Sequence, residues 1–324
     1  SRLRLMFEYM KISRKNSVDF FDLSSATDFD TTSGYQYLKT HLGTNAAEYL
    51  ANPFCSTYQF HGAKEISLGA VRGIMTLLKY RFTDWNLQQT VGGMSMLPKA
   101  LAKKLDVRLN TQVKRITGGA TVTLEADQSY SFDTVVVAST ADFTKQLYAN
   151  PTNGQKQLLR NVKYATSISL AFEVDKKKLP DISVVWVPRA ESSTISGFTN
   201  QRMKGTHFVK KGKSLICAWL HEDYAKSLLS LSDEEIYTKT RKELLKYCPW
   251  FMSVDDLAPF DLERWPTAMP KFYPGYLTKV KEFLATAQGE NNVFFCGDYL
   301  NSPWIEGSLR CGQRVAKKVA STFV

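Results

Sequence analysis

Near the carboxyl end, the stretch NVFFCGDYLNSPWIEGSLRCGQRVAKKVA (residues 292–320) gathers residue types suited to holding a ligand. An apolar run stops at Gly297-Asp298, a short loop carries Pro303 and Trp304, and Gly307 opens a helical pattern. Glycine lets a backbone approach a ligand closely. Aspartate is a fixed acceptor for hydroxyl groups, and a helix N-terminus offers unpaired N–H groups with partial positive charge. In open α/β sheets, ligands collect outside the carboxyl ends of strands. The same stretch also reads as a buried strand, an ordinary turn and a packed terminal helix, with Leu309, Gly312, Ala316, Val319 and Phe323 on one face.

The elements that must position these residues follow from hydrophobic period. SRLRLMFEYMKISRK at the start fits an amphipathic helix rather than a signal peptide. TTSGYQYLKTHLG predicts a helix capped by Thr32 or Ser33 and stopped by Gly43. TNAAEYLANPF predicts a second helix ended by Pro53, and ISLGAVRGIMTLLKYRF a third through Leu78 and Phe82. After Gly92-Gly93 comes a short helix with Leu97, Ala100, Leu101 and Leu105 on one face, then strands over 107–116, 120–126 and 133–138. The run DTVVVAS predicts a strand buried on both faces. From about 155 to 265 the texture is that of a largely antiparallel sheet, with one helix capped by Ser232. The end returns to helix 277–287, strand 293–296 and helix 306–322.

Composition narrows the function classes. The chain has 324 residues, 44% hydrophobic and 23% charged, which suits one large or two intertwined globular domains. Its net charge of +11 is spread out, with one tight run at Lys176–Lys178, and no zinc-finger or aromatic-basic RNA pattern accompanies it. Nucleic acid is therefore not the expected partner. The surplus suits a dicarboxylate substrate or peripheral contact with an anionic membrane. Five cysteines without a CxxC predict free thiols in a reducing, cytoplasmic setting, with Cys296 and Cys311 acting as small hydrophobes. Four histidines without ligand spacing predict no metal site. No apolar run reaches the roughly eighteen residues of a membrane span.

An acid for hydroxyl groups beside a helix end for a developing anion suits a polyol-linked ring that becomes electron-rich, and a flavin answers that description. Three further segments carry a family resemblance. GGM with Leu97, Ala100 and Leu101, RWPTAMPKFYPGY, and DTVVVAST accompany the terminal GD…IEG…CG pattern in the same order as in the FAD-dependent amine oxidases, protoporphyrinogen oxidases and carotenoid desaturases. The chain resembles that superfamily. The resemblance implies an α/β (α+β) fold: an incomplete Rossmann-like FAD-binding domain (86–150 and 263–324) with an inserted substrate domain of mostly antiparallel sheet plus helices (1–85 and 151–262). It implies an oxidoreductase of oxidase or desaturase type, passing a hydride from a small-molecule substrate to FAD.

Residue by residue, the resemblance assigns cofactor binding to Gly92, Gly93, Met94, Val113, Gly297, Asp298, Trp304, Ile305, Glu306 and Gly307, and the substrate cavity wall to Trp265, Phe272 and Tyr273. It names no catalytic residue: Ser167 and Ser169 stand on the strand where amine oxidases often place a lysine. Residues 264–276 hold no cysteine for a flavin linkage, so the FAD is expected to be non-covalent. The family's GxGxxG turn, which seats the pyrophosphate, follows no predicted strand here. Three expectations compete: a second chain supplies it, it lies outside this sequence, or the protein is a flavin-free scaffold derived from the family.

Overall fold

The computed structural model describes residues 18–19, 21–77, 90–205 and 209–322. The predicted N-terminal helix and the positions Leu78, Phe82 and Phe323 lie outside them.

Local rules account for most elements. Helix α1 (Gly34–Leu42) begins where the Ser33 side chain accepts from the Gln36 N–H and ends at Gly43, whose φ of 89° favours glycine. Pro53 does not end the next helix as predicted. The backbone passes through a wide turn at Ala47–Ala51 into α2 (Asn52–Gln59), with Pro53 in the first turn of that helix. The wider turn relieves the clash that proline makes with the preceding turn of a regular helix. Helix α3 spans Leu68–Leu77 and α4 Met96–Ala102.

Strands β1 (Arg115–Thr117), β2 (Val122–Glu125) and β3 (Ser129–Phe132) form an antiparallel meander. The strand predicted over 107–116 shrinks to β1, so Val113 lies in irregular chain ahead of it. β3 was not anticipated: SYSF has few apolar residues and forms by pairing across the short turn at Ala126–Gln128. Then come β4 (Val135–Val137), α5 (Ala141–Leu147) and α6 (Asn153–Asn161), which Thr152 and Gln155 open with a reciprocal capping box.

The larger sheet comprises β5 (Tyr164–Asp175), β6 (Val184–Trp186), β7 (Ile195–Asn200), β8 (Lys213–Leu220) and β9 (Ala258–Pro270), in the order β6-β7-β8-β5-β9 with every neighbour antiparallel. β9 contains Pro259, Pro266 and Pro270 and did not read as a strand. It lies at the sheet edge, where missing N–H donors are tolerated. Helices α7 (Glu222–Leu228) and α8 (Asp233–Leu245, capped by Ser232) contribute Ala225, Leu228, Ile236 and Leu244 to a core with Ile168, Leu170, Phe172 and Ile216 from the sheet. The chain closes with α9 (Tyr276–Thr286), β10 (Val293–Phe295) and α10 (Ile305–Thr322).

Two compact units result: Ser1–Thr76 with Lys163–Leu277, and Leu77–Val162 with Thr278–Val324. The first holds the five-stranded sheet. In the second, β10 pairs parallel with β4, Val293 to Val135 and Phe295 to Val137, across about 158 residues of intervening chain. The chain is a mixed α/β protein with a parallel element in one unit and antiparallel sheets in both. β10 is fully buried, but Val136 of β4 is exposed, so the burial expected on both faces is absent there.

Candidate functional site

The terminal unit is built around the end of β10. The Cys296 N–H donates to the Val137 carbonyl at 3.0 Å, extending the parallel pairing by one residue. The chain then turns through Asp298–Leu300, closed by Leu300 N–H to Gly297 O (3.2 Å) and Asn301 N–H to Asp298 O (3.0 Å). Buried Asn301 ties this turn to α10 by donating to the Gly307 carbonyl at 2.9 Å. From the other side, Arg314 donates to Asn301 Oδ1 and to the Leu300 carbonyl, both at 2.9 Å. The loop between strand and helix is therefore held at fixed geometry, as a preorganised site requires.

Gly307 has a steric reason to be glycine. A Cβ there would meet Ser302 Oγ at 2.1 Å and the Ser302 carbonyl oxygen at 2.5 Å. The loop backbone lies directly against the first turn of α10, and the N–H groups at the start of that helix have no partner within it. Glu306 pairs with Arg310 at 2.8 Å, Ile305 is exposed and Trp304 is half-buried. The buried face of α10 is Gly307, Cys311 and Val315, not the face of Leu309, Gly312 and Ala316 read from the sequence. The loop seats against the helix at Gly307, and the residues one and two turns on, Cys311 and Val315, follow it inward.

Burial pushes the Asp298 carboxyl up to about 6, with backbone N–H groups of residues 298 and 299 opposing the shift. Among the described residues no cation forms an ion pair with it. This raised value sets a stability prediction with a definite sign. An acid whose folded pKa exceeds its unfolded value of 3.8 is neutral in both states below that value. It destabilises the fold progressively as pH rises from about 4 to about 6, and the loss is complete above that. Replacing Asp298 by Asn in flavin-free protein is expected to raise stability by about 2 to 3 kcal/mol at pH 8 and by almost nothing at pH 3.5. Urea unfolding at the two pH values reads this directly, and equal midpoint shifts would disprove it.

The Gly92-Gly93 turn lies in the same unit. Both residues have positive φ, 89° and 87°, and Thr90 Oγ1 donates to the Gly93 carbonyl at 2.6 Å. A Cβ on Gly93 would meet nothing within 4 Å, so conformation rather than crowding calls for glycine there. Met94 is exposed, and Val113 half-buried.

The predicted cavity residues lie in the other unit. Trp265 is exposed on β9, paired with Ser167 in register. Phe272 is fully buried, its ring 5.6 Å from that of Tyr276. Tyr273 stacks at a tilt on Tyr276, and the Lys163 ammonium lies 4.6 Å from its ring centre.

That unit also holds a polar cavity of about 310 Å³ that sequence reading missed, lined by Lys271, Glu222, Glu65, His61, His221 and Arg189 among others. Lys271 Nζ donates to Glu222 at 2.6 Å and Glu65 at 2.7 Å, and Lys226 reaches Glu222 at 2.6 Å. Burial disfavours charge on Lys271, but the two carboxylates more than offset it and hold the amine above its ordinary value. Burial likewise raises Glu222, and Lys226 and Lys271 reverse that and draw it below its usual range. His61 and His221 are driven down to about 4, chiefly by burial, so both are neutral at pH 7. His61 Nδ1 lies 2.5 Å from the Gln59 carbonyl, which only accepts, so Nδ1 carries the hydrogen. The available signal was a lysine inside the otherwise apolar MPKFYPG.

Among the described residues no cluster of His, Cys, Asp and Glu is arranged to hold a metal ion, and no helix is long and apolar enough to cross a membrane. Among curated proteins no sequence matches this chain. Solved structures share its fold. Putrescine oxidase bound to putrescine is 16% identical with a TM-score of 0.71, the match covering 98% of this chain and 74% of that one. Cyclohexylamine oxidase from Brevibacterium oxydans IH-35A is 16% identical with a TM-score of 0.67, covering 99% and 74%. A CLA-producing fatty acid isomerase from P. acnes is 14% identical with a TM-score of 0.65, covering 91% and 70%. The match to the family model runs over residues 4–320, through both the braced glycine-acid loop and the antiparallel sheet. The chain accordingly belongs to the flavin containing amine oxidoreductases, FAD-dependent enzymes of oxidation and reduction.

Proposed function

We propose that this chain holds FAD without a covalent bond and oxidises a small molecule by removing a hydride from one of its carbons. The observation that carries this reading is the loop 297–302, pinned by Asn301 and Arg314 against the first turn of α10 at Gly307. Bound FAD would supply the hydride acceptor. The chain's own residues do the positioning. Asp298 would accept hydrogen bonds from the ribityl hydroxyls, replacing the solvation that burial has removed from its carboxyl. The N–H groups of Glu306 and Gly307 would hold the pyrimidine edge, where the helix end favours negative charge. The Gly92-Gly93 turn would flank the bound ring, and Met94, Val113, Trp304 and Ile305 would complete the residues that hold the cofactor. Trp265 and Tyr273 belong to the substrate side, while Phe272, fully buried against Tyr276, supports it from the core.

Polypeptide outside these 324 residues, on the same chain or a second one, supplies the glycine-rich turn for the pyrophosphate. Uncovered apolar surface in the second unit supports this. Among the described residues, no residue of α4 is buried, Val91 and Leu109 are about 80% exposed, and β4 pairs with β10 alone. Parallel strands ordinarily have both faces covered. The fold by itself does not select oxidation, since the isomerase shares it.

Protein isolated from its native source is expected to be yellow, and acid precipitation is expected to release FAD into the supernatant. Flavin retained in the precipitate would refute the non-covalent reading. A colourless protein that stays colourless with FAD and its copurifying chains would favour the scaffold alternative.

A further inference from the structure

We propose that one end of the five-stranded sheet is a docking surface for an anionic phospholipid membrane. This surface lies within the first unit and is independent of the flavin reading. Three connections converge there: 176–183 from β5 to β6, 201–205 and 209–212 between β7 and β8, and 252–257 leading into β9. Hydrogen bonds join them. The Lys176 N–H donates to the Gly212 carbonyl, and the Asn200 N–H to the Ser183 carbonyl, both at 3.0 Å. Lys178 Nζ reaches one oxygen of Asp256 at 2.6 Å, and the other accepts from the Met252 N–H at 2.8 Å.

The charge at this end is one-sided. Residues 175–183, 201–213 and 252–257 carry eight lysines and arginines against four acids. Three of those acids are engaged within the loops. Asp181 pairs with Arg202, Asp256 with Lys178, and Asp175 accepts from the Lys177 N–H at 2.8 Å. Glu173 of β5 lies 3.7 Å from both Lys210 and Lys213. Among the described residues, Lys176, Lys177, Lys204 and Lys211 form no ion pair, and all four are exposed. Seven of the eight cations are lysine, and the single arginine is taken by Asp181. A lysine ammonium is a point charge on a flexible stem and suits a diffuse charged surface. Reading single phosphates or base edges favours the guanidinium fork instead.

Apolar side chains are interleaved with these lysines. Met252 is 89% exposed, and Asp256 fixes its backbone beside Lys178. Exposed Met203 stands between Arg202 and Lys204, and exposed Ile182 follows Asp181. At a bilayer surface such side chains enter the acyl boundary while lysines remain with anionic headgroups. Methionine is flexible enough to adapt to a fluid phase. A nucleic acid offers the charge without the apolar phase and leaves Met252 in water, so the membrane is the occupant that uses both features. Among the described residues no helix can cross a bilayer, so the contact is peripheral.

The test is co-sedimentation of the chain, with any polypeptide that copurifies, on vesicles of phosphatidylcholine with and without phosphatidylserine. Sedimentation with the anionic vesicles at low salt and release at high salt are expected. No sedimentation at low salt would overturn the proposal. Lys177→Gln combined with Lys211→Gln is expected to weaken binding about 25-fold, at about fivefold for each charge withdrawn. Because the whole chain carries a net charge of +11, the control removes two exposed lysines of the other unit, Lys156→Gln with Lys317→Gln. That control is expected to weaken binding by less than about threefold. Equal losses in the two double variants would show that net charge, not this end of the sheet, binds the vesicles, and would refute the proposal. Met252→Ser is expected to lose about fivefold with the salt dependence retained. No loss there, or retention by an oligonucleotide in place of vesicles, would remove the membrane as the occupant.

Discussion

Lys271→Met is expected to destabilise the sheet-bearing unit by about 2 to 4 kcal/mol at pH 7. The lysine and Glu222 side chains are 10% and 8% exposed, so removing the ammonium leaves a carboxylate poorly solvated. Full breakage of a buried pair costs about 3 to 5 kcal/mol. The expected loss is smaller because Lys226 still reaches Glu222 and the Thr166 N–H still points to it. The pH dependence has a worked sign. Glu222 lies below the ordinary carboxyl value of 4.5 in the fold, so its contribution is complete above that value and fades as pH falls through the folded value. Lys271 is raised, so its contribution is complete below 10.5 and fades only as pH rises through the folded value. The difference between wild type and variant should therefore be flat from about pH 6 to 9 and shrink in acid. Adding Glu222→Gln to Lys271→Met should recover more than half of the loss. Urea midpoints for the four proteins test this. A single variant as stable as wild type at pH 7 would show that the pair contributes nothing.

Gly307→Ala is expected to cost about 3 kcal/mol, at the upper end of ordinary overpacking, and to weaken FAD retention. The added methyl cannot be accommodated by a side-chain rotation alone, since the Ser302 carbonyl carbon lies at 3.1 Å as well as its oxygen at 2.5 Å. Nor can the loop retreat without breaking the hydrogen bonds of Asn301 and Arg314. Gly312→Ala on the same helix is the internal control. Its Cβ would find only the Cys296 sulfur at 4.0 Å, an ordinary contact, so the helix should gain up to about 1 kcal/mol. Thermal unfolding of the two variants should thus move in opposite directions. Two shifts of the same sign and size would mean that the packing at Ser302 is not what requires glycine.

Much of the fold was legible because it depends on neighbours in sequence. The Ser33 and Ser232 caps and the period-two burial of β8 follow from residues within a few positions of one another. The departures arise where a distant partner sets the outcome. β9 is a strand despite three prolines because β5 supplies its hydrogen bonds along one side. Helix continues past Pro53 because one turn widens. The apolar positions of α10 misidentified its inner face because the loop packs against its first turn at Gly307, which turns Cys311 and Val315 inward with it.

The candidate site divides in the same way. Sequence by itself determined that a glycine and an acid end a buried strand, that a helix begins at residues 305–307, and that paired glycines precede another short helix. These are local statements about conformation and donor type, and they suffice for the family. Tertiary structure alone decided that Asn301 and Arg314 brace the loop, and that Lys271 bridges Glu65 and Glu222, separated from it by 206 and 49 positions. Desolvation and through-space contact are properties of the packed chain. Residues far apart in sequence acquire altered acidity only once folding has removed the water between them.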